Sequence, residues 1–219
     1  FREYAYFSSF SDTMVAHAKT IADRIRSVRG LGSDSLAVEI ASNDGYLLQW
    51  YHKAGIPVLG IEPARNIASV AISERGVNTI SEFFGESLAK RLAQSGQQAD
   101  VIHANNVLAH VPDLNDFVAG MKVLLKRGGR ITLEFPHLLR LMEYNQFDTI
   151  YHEHFSYLSL ITVAKIFSAH GLRIFDVEEI PTHGGSLRVY ACRKEAEHKE
   201  VGLFVRVFCL PSLRGSMFV

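Results

Sequence analysis

The sequence predicts an α/β domain built on a doubly wound, mostly parallel sheet with an antiparallel last strand. Short apolar runs alternate with helical patterns along most of the 219 residues, as strand–helix–strand units require. Residues 36–48 read as strand, tight polar turn and helix, the arrangement by which such sheets present a ligand at their carboxyl edge. Residues 173–177 and 187–191 alternate as a closing pair of strands, joined by a loop holding His183-Gly184-Gly185.

The first element is a helix capped by Ser11 and running to about Arg29, with Val15, Ala18, Ile21, Ala22, Ile25 and Val28 on one face and Gly30 at its end. Before it, Tyr4, Tyr6, Phe7 and Phe10 crowd around Ser8 and Ser9. That segment reads either as a hydrophobic staple on the helix or as a lid over a ligand. The first strand, Leu36 to Ile40, carries one buried-looking acid, Glu39, and breaks at Ser42-Asn43-Asp44-Gly45. Ala41, Ser42 and Asn43 stand where a dinucleotide fingerprint has glycines that admit a pyrophosphate. A ligand without phosphate has less need of a bare backbone, so the turn reads as a site for S-adenosylmethionine rather than NAD.

A helix over 46–53 follows, then a second strand over 57–61 with Glu62 at its end. An ionised carboxylate is acceptor-only, and there it suits both hydroxyls of a ribose. Pro63 and Asn66 open a helix to Arg75, and 77–80 form a short third strand. Phe83 and Phe84 follow in a loop, placed to flank an adenine or to fill core. A fourth strand over 99–104 ends at Asn105-Asn106, whose amides suit a cofactor or a substrate. Asp113 caps a helix to about Lys126, Gly128-Gly129 turns into a fifth strand over 130–135, and a last helix spans 159–171.

Composition bounds the function. Hydrophobic content of 47% and charged content of 21% are ordinary for an enzyme-like core. A formal net charge of +0 gives no electrostatic case for nucleic acid or an anionic membrane. No apolar run approaches the ~20 residues that span a bilayer, and Phe1-Arg2-Glu3 is not a signal peptide. Two cysteines, Cys192 and Cys209, are too few for a disulfide scaffold or an all-cysteine zinc site. A cytoplasmic location is the expectation. Without an initiator Met, the chain is expected to be part of a longer one. It divides into an aromatic segment with its helix (1–30), a ligand-binding domain (31–191) and an unassigned tail (192–219) that suits the start of a further domain.

Three readings compete for Tyr151-His152-Glu153-His154, the densest chemistry in the chain. Two imidazoles and a carboxylate suggest a metal, but the spacing is not that of a helical His-Glu-x-x-His site, and the expectation is no metal. A hydrogen-bonded cluster that pins a loop is the second reading. Acid–base catalysis is the third and the favoured one. An unperturbed imidazole titrates at ~6.5, a neighbouring glutamate orients it, and the Tyr151 phenol suits a developing oxyanion.

Seven segments together resemble one family. They are Tyr-Ala-Tyr-Phe-Ser-Ser (4–9), Glu-Ile-Ala-Ser-Asn-Asp-Gly (39–45), Gly-Ile-Glu-Pro (60–63), Ala-Asn-Asn-Val-Leu-Ala-His-Val (104–111), Glu-Phe-Pro-His (134–137), Tyr-His-Glu-His-Phe-Ser-Tyr-Leu (151–158) and His-Gly-Gly-Ser-Leu-Arg-Val-Tyr (183–190). Across residues 4 to 191 the chain is similar to the class I, Rossmann-like methyltransferases that C-methylate nucleotide-linked keto-deoxysugars. The resemblance implies methyl transfer to the carbon beside a sugar ketone. His154 would be the general base; Tyr151, Glu153 and His110 would support the enolate or orient the base, and Tyr6 would close over the site. Glu39, Gly45, Glu62 and Asn106 would hold the cofactor. With Ser42, Asn43, Pro63, Phe84 and Asn105 from the turns read above, these make up the expected cofactor set.

The same family carries a cysteine-rich zinc-binding segment before the first of these motifs and a further α/β domain after the last, and neither is seen here. Two alternatives therefore stand beside the C-methyltransferase: an O- or N-methyltransferase on another small molecule, and a truncated nucleotide-binding remnant without turnover.

Overall fold

Strand β1 (Ala37–Ile40) is buried along its whole length, because both faces of the sheet are covered. Val38 and Ile40 enter one apolar cluster and Ala37 the other. The computed structural model describes residues 3–198. Six further strands flank β1: β2 (Val58–Ile61), β3 (Thr79–Ile80), β4 (Ala99–Asn105), β5 (Leu125–Pro136), β6 (Leu172–Ile180) and β7 (Ser186–Arg193). Their order is β3-β2-β1-β4-β5-β7-β6. The pairs from β3 to β5 are parallel, and β7 runs antiparallel to both its neighbours. The ends of β1, β2, β4 and β5 and the β6–β7 turn therefore share one edge.

Among the described residues seven α-helices accompany the sheet: α1 (Asp12–Arg29), α2 (Leu48–His52), α3 (Arg65–Arg75), α4 (Glu86–Gln94), α5 (Leu114–Leu124), α6 (Leu138–Glu143) and α7 (Leu160–Ala169). On one face, Ala18, Ile21, Ala22 and Ile25 of α1 pack with Tyr51, Val101, Phe175 and Tyr190. Leu88 and Leu92 of α4, Phe117 and Met121 of α5, and Val163 and Phe167 of α7 fill the other. The caps follow the sequence. Ser11 accepts from Met14 N at 3.3 Å, Asp113 from Asn115 N and Asp116 N at 3.0 Å, and Ser159 from Thr162 N at 3.2 Å. Gly30 ends α1 in the left-handed region, at φ 59°. No helix among the described residues is long and apolar enough to cross a membrane.

Several expected boundaries move. Val28 leaves the apolar face of α1 and is 62% exposed. The helix after the first turn starts at Leu48, because Tyr46 and Leu47 still belong to the turn. The third strand shrinks to two residues, with Val77 buried under the turn against Gly45. Strand β5 begins at Leu125, since the Gly128-Gly129 segment continues the ladder through an irregular register beside Ala99. Helix α4 fills a stretch to which the sequence reading gave no element. Its few apolar positions (Leu88, Ala89, Leu92) suffice because α5 lies very close. A Cβ on Gly120 would come within 2.9 Å of the Gly85 carbonyl carbon, and Asp116 accepts from the first helical amide at 3.1 Å. Helix α6, with no buried residue, is a second element the sequence does not announce. Strand β7 runs two residues into the expected tail, and the tail beyond residue 198, with Cys209, lies outside the described residues.

Candidate active site

The β1 turn is tighter than its residue types favour. Ala41 and Asn43 both adopt left-handed backbone, at φ 55° and 49°, a conformation that costs a non-glycine residue of order 1 kcal/mol or more and collects at functional turns. The turn is held from two sides. Glu62, at the end of β2, accepts from Asn43 N at 3.0 Å and from Ala64 N at 2.9 Å. The Ser42 side chain packs against β2, where a Cβ on Gly60 would meet Ser42 Oγ at 2.6 Å; only glycine allows that approach.

Above this turn lies a cavity of about 540 Å³. Tyr4, Tyr6, Ser8, Ala41, Asn43, Glu62, Pro63, Phe83, Phe84, Asn105 and Asn106 line it, and so do His110, Tyr151, Phe155 and His183. The late Tyr-His-Glu-His block therefore opens on the same edge as the β1 turn. The N-terminal segment is tied across that edge by Asn43, whose Oδ1 accepts from Ser8 N at 2.9 Å while its Nδ2 donates to Tyr6 O at 3.1 Å. Asn66 grips Tyr4 in the same two-way manner, at 3.2 and 2.8 Å. The tyrosines thus wall the cavity rather than staple α1.

Of the expected cofactor residues, Asn43, Glu62, Pro63, Phe84, Asn105 and Asn106 reach the cavity; Glu39, Ser42 and Gly45 do not. Glu39 is 1% exposed beneath the floor. Burial first, then the charges of Asp44 and Glu62, drive its carboxyl well above the usual range, against a hydrogen bond with Tyr46. Ser42 and Gly45 shape the turn, Gly45 at φ 78° against Val77. Burial also raises Glu62, opposed by its two backbone hydrogen bonds.

The catalytic candidates form a packed aromatic group. His154 lies 4.2 Å from Tyr151 and 4.7 Å from His110 between ring centroids. His154 Nδ1 lies 2.8 Å from Thr149 O, and His110 Nδ1 lies 3.0 Å from Glu153 O. A carbonyl only accepts, so each Nδ1 carries hydrogen and each neutral ring has its basic lone pair on Nε2. His110 and Tyr151 face the cavity, whereas His154 lines a small recess behind them with Pro136, Leu141 and Tyr157. Burial, then the His154 charge, hold His110 below the ordinary imidazole range. Glu153 supplies its backbone carbonyl to His110, and the charge of its carboxylate raises that imidazole against the effect of burial. Tyr6 is half exposed on the wall. No cluster of three or more His, Cys, Asp or Glu among the described residues is arranged to hold a metal.

Wall residues to which sequence reasoning gave no individual role include Tyr4, Tyr46, Phe155 and His183. Tyr4, Phe155 and His183 stand inside quoted motifs, so a signal existed. Tyr46 had none, for its position depends on the turn geometry.

The donor set suits a phosphate-free nucleoside joined to an amino acid. Asn105 Oδ1 and Asn106 Oδ1 are buried without a hydrogen-bond partner among the described residues, as acceptors kept for a ligand would be. Glu62 retains lone pairs beyond its two backbone bonds, and Phe83 and Phe84 offer flat apolar walls. A sheet of this order, with one antiparallel strand and a ligand turn after β1, defines a class I methyltransferase fold. Residues 17–177 match the family described as a methyltransferase domain; the chain belongs to this family and is an S-adenosylmethionine-dependent methyltransferase domain.

C-methyltransferase NovU of Streptomyces niveus is 38% identical over 199 residues, which cover 91% of this chain and 47% of NovU. The ubiquinone biosynthesis O-methyltransferase of Bartonella quintana is 28% identical over 92 residues, 42% of this chain and 37% of that enzyme. The chain thus spans about half of NovU's length or less of these relatives. Among solved structures, magnesium protoporphyrin IX methyltransferase (ChlM) from Synechocystis PCC 6803 with bound SAH superposes with a TM-score of 0.62 at 16% identity, covering 82% of this chain and 83% of that one. An S-adenosylmethionine-dependent methyltransferase from Anabaena variabilis gives 0.63 at 11% identity, covering 81% and 84%.

Proposed function

We propose that this domain methylates the carbon beside the ketone of a nucleotide-linked keto-deoxysugar. The observation that carries the reading is the His110–Tyr151–His154 group, packed at 4.2 and 4.7 Å with both imidazoles poised as bases. A hydroxyl acceptor needs a base and an in-line methyl but no partner for an enolate oxygen. A carbon acid needs a base for its α-proton and a donor for the enolate oxygen, and this wall holds both kinds of group. The 38% identity to a C-methyltransferase supports the same side.

When bound, S-adenosylmethionine supplies an electrophilic methyl. Glu62, Asn105 and Asn106 would hold it, with Phe83 and Phe84 against the base. The chain's own task is to remove the proton, steady the oxygen and keep the reacting carbon against that methyl. The experiment is incubation with S-adenosylmethionine and a nucleotide-linked keto-deoxysugar, with the product read by NMR. A new carbon-bound methyl is expected. An oxygen- or nitrogen-bound methyl rejects carbon chemistry, and cofactor binding without transfer identifies a remnant.

Glu62→Ala is expected to weaken S-adenosylhomocysteine binding by about 1–3 kcal/mol, the range for hydrogen bonds to a charged partner. Calorimetry measures it, and unchanged affinity puts the ribose elsewhere.

A further inference from the structure

One wall residue has no part in the chemistry so far. His183 lies in the β6–β7 turn and faces the cavity. Its backbone is left-handed, at φ 52° and ψ 41°, inside a helical turn that this residue interrupts. Such geometry in a non-glycine residue is rare and persists where surrounding structure enforces it. Here the enforcement is visible. Gln146 Nε2 donates to Gly184 O at 2.6 Å, His137 N to Gly185 O at 3.0 Å, and Ser186 Oγ to Thr182 O at 2.9 Å. A Cβ on Gly184 would strike the Gln146 side chain at 2.5 Å. The loop is locked, yet the imidazole it presents makes no hydrogen bond among the described residues.

Topology says which ligand it serves. Three strand spacings separate β7 from β1, and four separate it from β2, in the order β2-β1-β4-β5-β7. At ~4.8 Å per spacing, the β7 end lies about 14 Å from the β1 turn and about 19 Å from the Glu62 end of β2. His183 therefore belongs to the acceptor side of the cavity, beside the loops that bring His110 and Tyr151. His183 is exposed at the rim of the cavity, and partial desolvation lowers its imidazole from the ordinary range; in its neutral form the ring carries one N–H donor.

We propose that His183 donates a hydrogen bond to the carbonyl oxygen of the methyl acceptor and is a catalytic residue of carbon methylation. This rests on the reading given above. The α C–H bond breaks as its proton passes to an imidazole on the His110–His154 wall, and the freed pair moves onto the carbonyl oxygen. His183 keeps its own proton and stabilises that oxygen through the N–H. The pair then forms the new C–C bond as the methyl's C–S bond breaks, leaving a neutral thioether. A neutral donor suits this task, because the oxygen must surrender its charge again in the second step.

The test measures exchange of the sugar α-hydrogen in D2O, with S-adenosylhomocysteine and a thymidine-diphosphate-linked 4-keto-6-deoxyhexose as probes. Wild type is compared with His183→Gly, which tolerates the left-handed backbone and removes the ring, and His183→Asn, which tolerates it and keeps an N–H donor. The expected result is an exchange rate about 10- to 100-fold lower in His183→Gly, the scale for a hydrogen bond to developing charge, partial rescue in His183→Asn, and unchanged S-adenosylhomocysteine affinity in both. Exchange at the wild-type rate in His183→Gly overturns the proposal and leaves the function reading intact. A matching loss of cofactor affinity also overturns it, since the residue is then structural. Absence of exchange in the wild type overturns the function reading and the proposal with it.

Discussion

His154→Ala is expected to lower methyl transfer by about 10²–10⁴-fold, the usual contribution of a general base, with S-adenosylhomocysteine affinity unchanged. The affinity prediction follows from position. His154 touches Tyr151 and His110 and lines the recess behind them, with no contact to the β1 turn. The turnover prediction follows from its tautomer, which the Thr149 carbonyl fixes with the lone pair on Nε2. Two routes connect that nitrogen to a substrate in the main cavity. Tyr151, 44% exposed on a loop, can swing aside, or the proton can pass through His110.

A second variant separates the routes. Under direct abstraction, His110→Ala costs less than His154→Ala, and its residual rate follows the pH profile of a single base. In a relay the two variants cost alike and their double mutant costs no more than either, as groups acting as one unit do. Single-turnover transfer measures all three. A loss below tenfold in His154→Ala, with a larger one in His110→Ala, transfers the role of base to His110 and removes it from His154.

The sequence made the sheet legible because β1, β2, β4 and β5 are apolar runs bounded by polar turns, and Ser11, Asp113 and Ser159 announce their helices. Helix α4 was not legible. Glu-Ser-Leu-Ala-Lys-Arg-Leu-Ala-Gln has a narrow apolar stripe, and its stability comes from a Gly120–Gly85 approach made across 35 residues of chain. The site divides in the same way. Glu62 and Asn105-Asn106 could be placed because strand ends fix position. Glu39 lies off the cavity lining because alternation along β1 turns it toward the opposite core from Val38 and Ile40, under the floor. Spacing along the chain also could not show His154 one ring behind the wall, since loop packing alone decides which of three adjacent aromatic rings meets the cavity.

Glu134→Ala is expected to destabilise the fold by about 3–5 kcal/mol, the cost of breaking a buried ion pair by removing one partner. Glu134, 1% exposed on β5, accepts from Arg188 Nε at 2.7 Å and from His17 Nε2 at 2.9 and 3.1 Å. A carboxylate only accepts, so His17 Nε2 carries hydrogen, and Arg188 Nη2 at 3.0 Å from that nitrogen meets a fellow donor. Removing Glu134 takes away the buried acceptor of both groups and leaves Glu178, 3.2 Å from Arg188, as the remaining counter-charge. The same cluster ties α1 to β5 and β7, so its loss also loosens the helix behind the cavity's Met14.

The pH dependence carries the sign. Burial pushes Glu134 up, but the His17 hydrogen bond and the Arg188 charge outweigh it and hold the carboxyl below its ordinary value. A lowered native pKa adds stability that is full above the unfolded value of ~4.3 and fades as pH falls through the native one. Urea unfolding at pH 7 and again below pH 4 tests both parts. The gap between wild type and Glu134→Ala should shrink at the lower pH, and Glu134→Leu combined with Arg188→Met should recover much of the loss at pH 7, as apolar replacement of a whole buried pair does. A single-variant loss under 1 kcal/mol at pH 7, or a gap that widens in acid, would show that His17 and Arg188 are satisfied without this carboxylate.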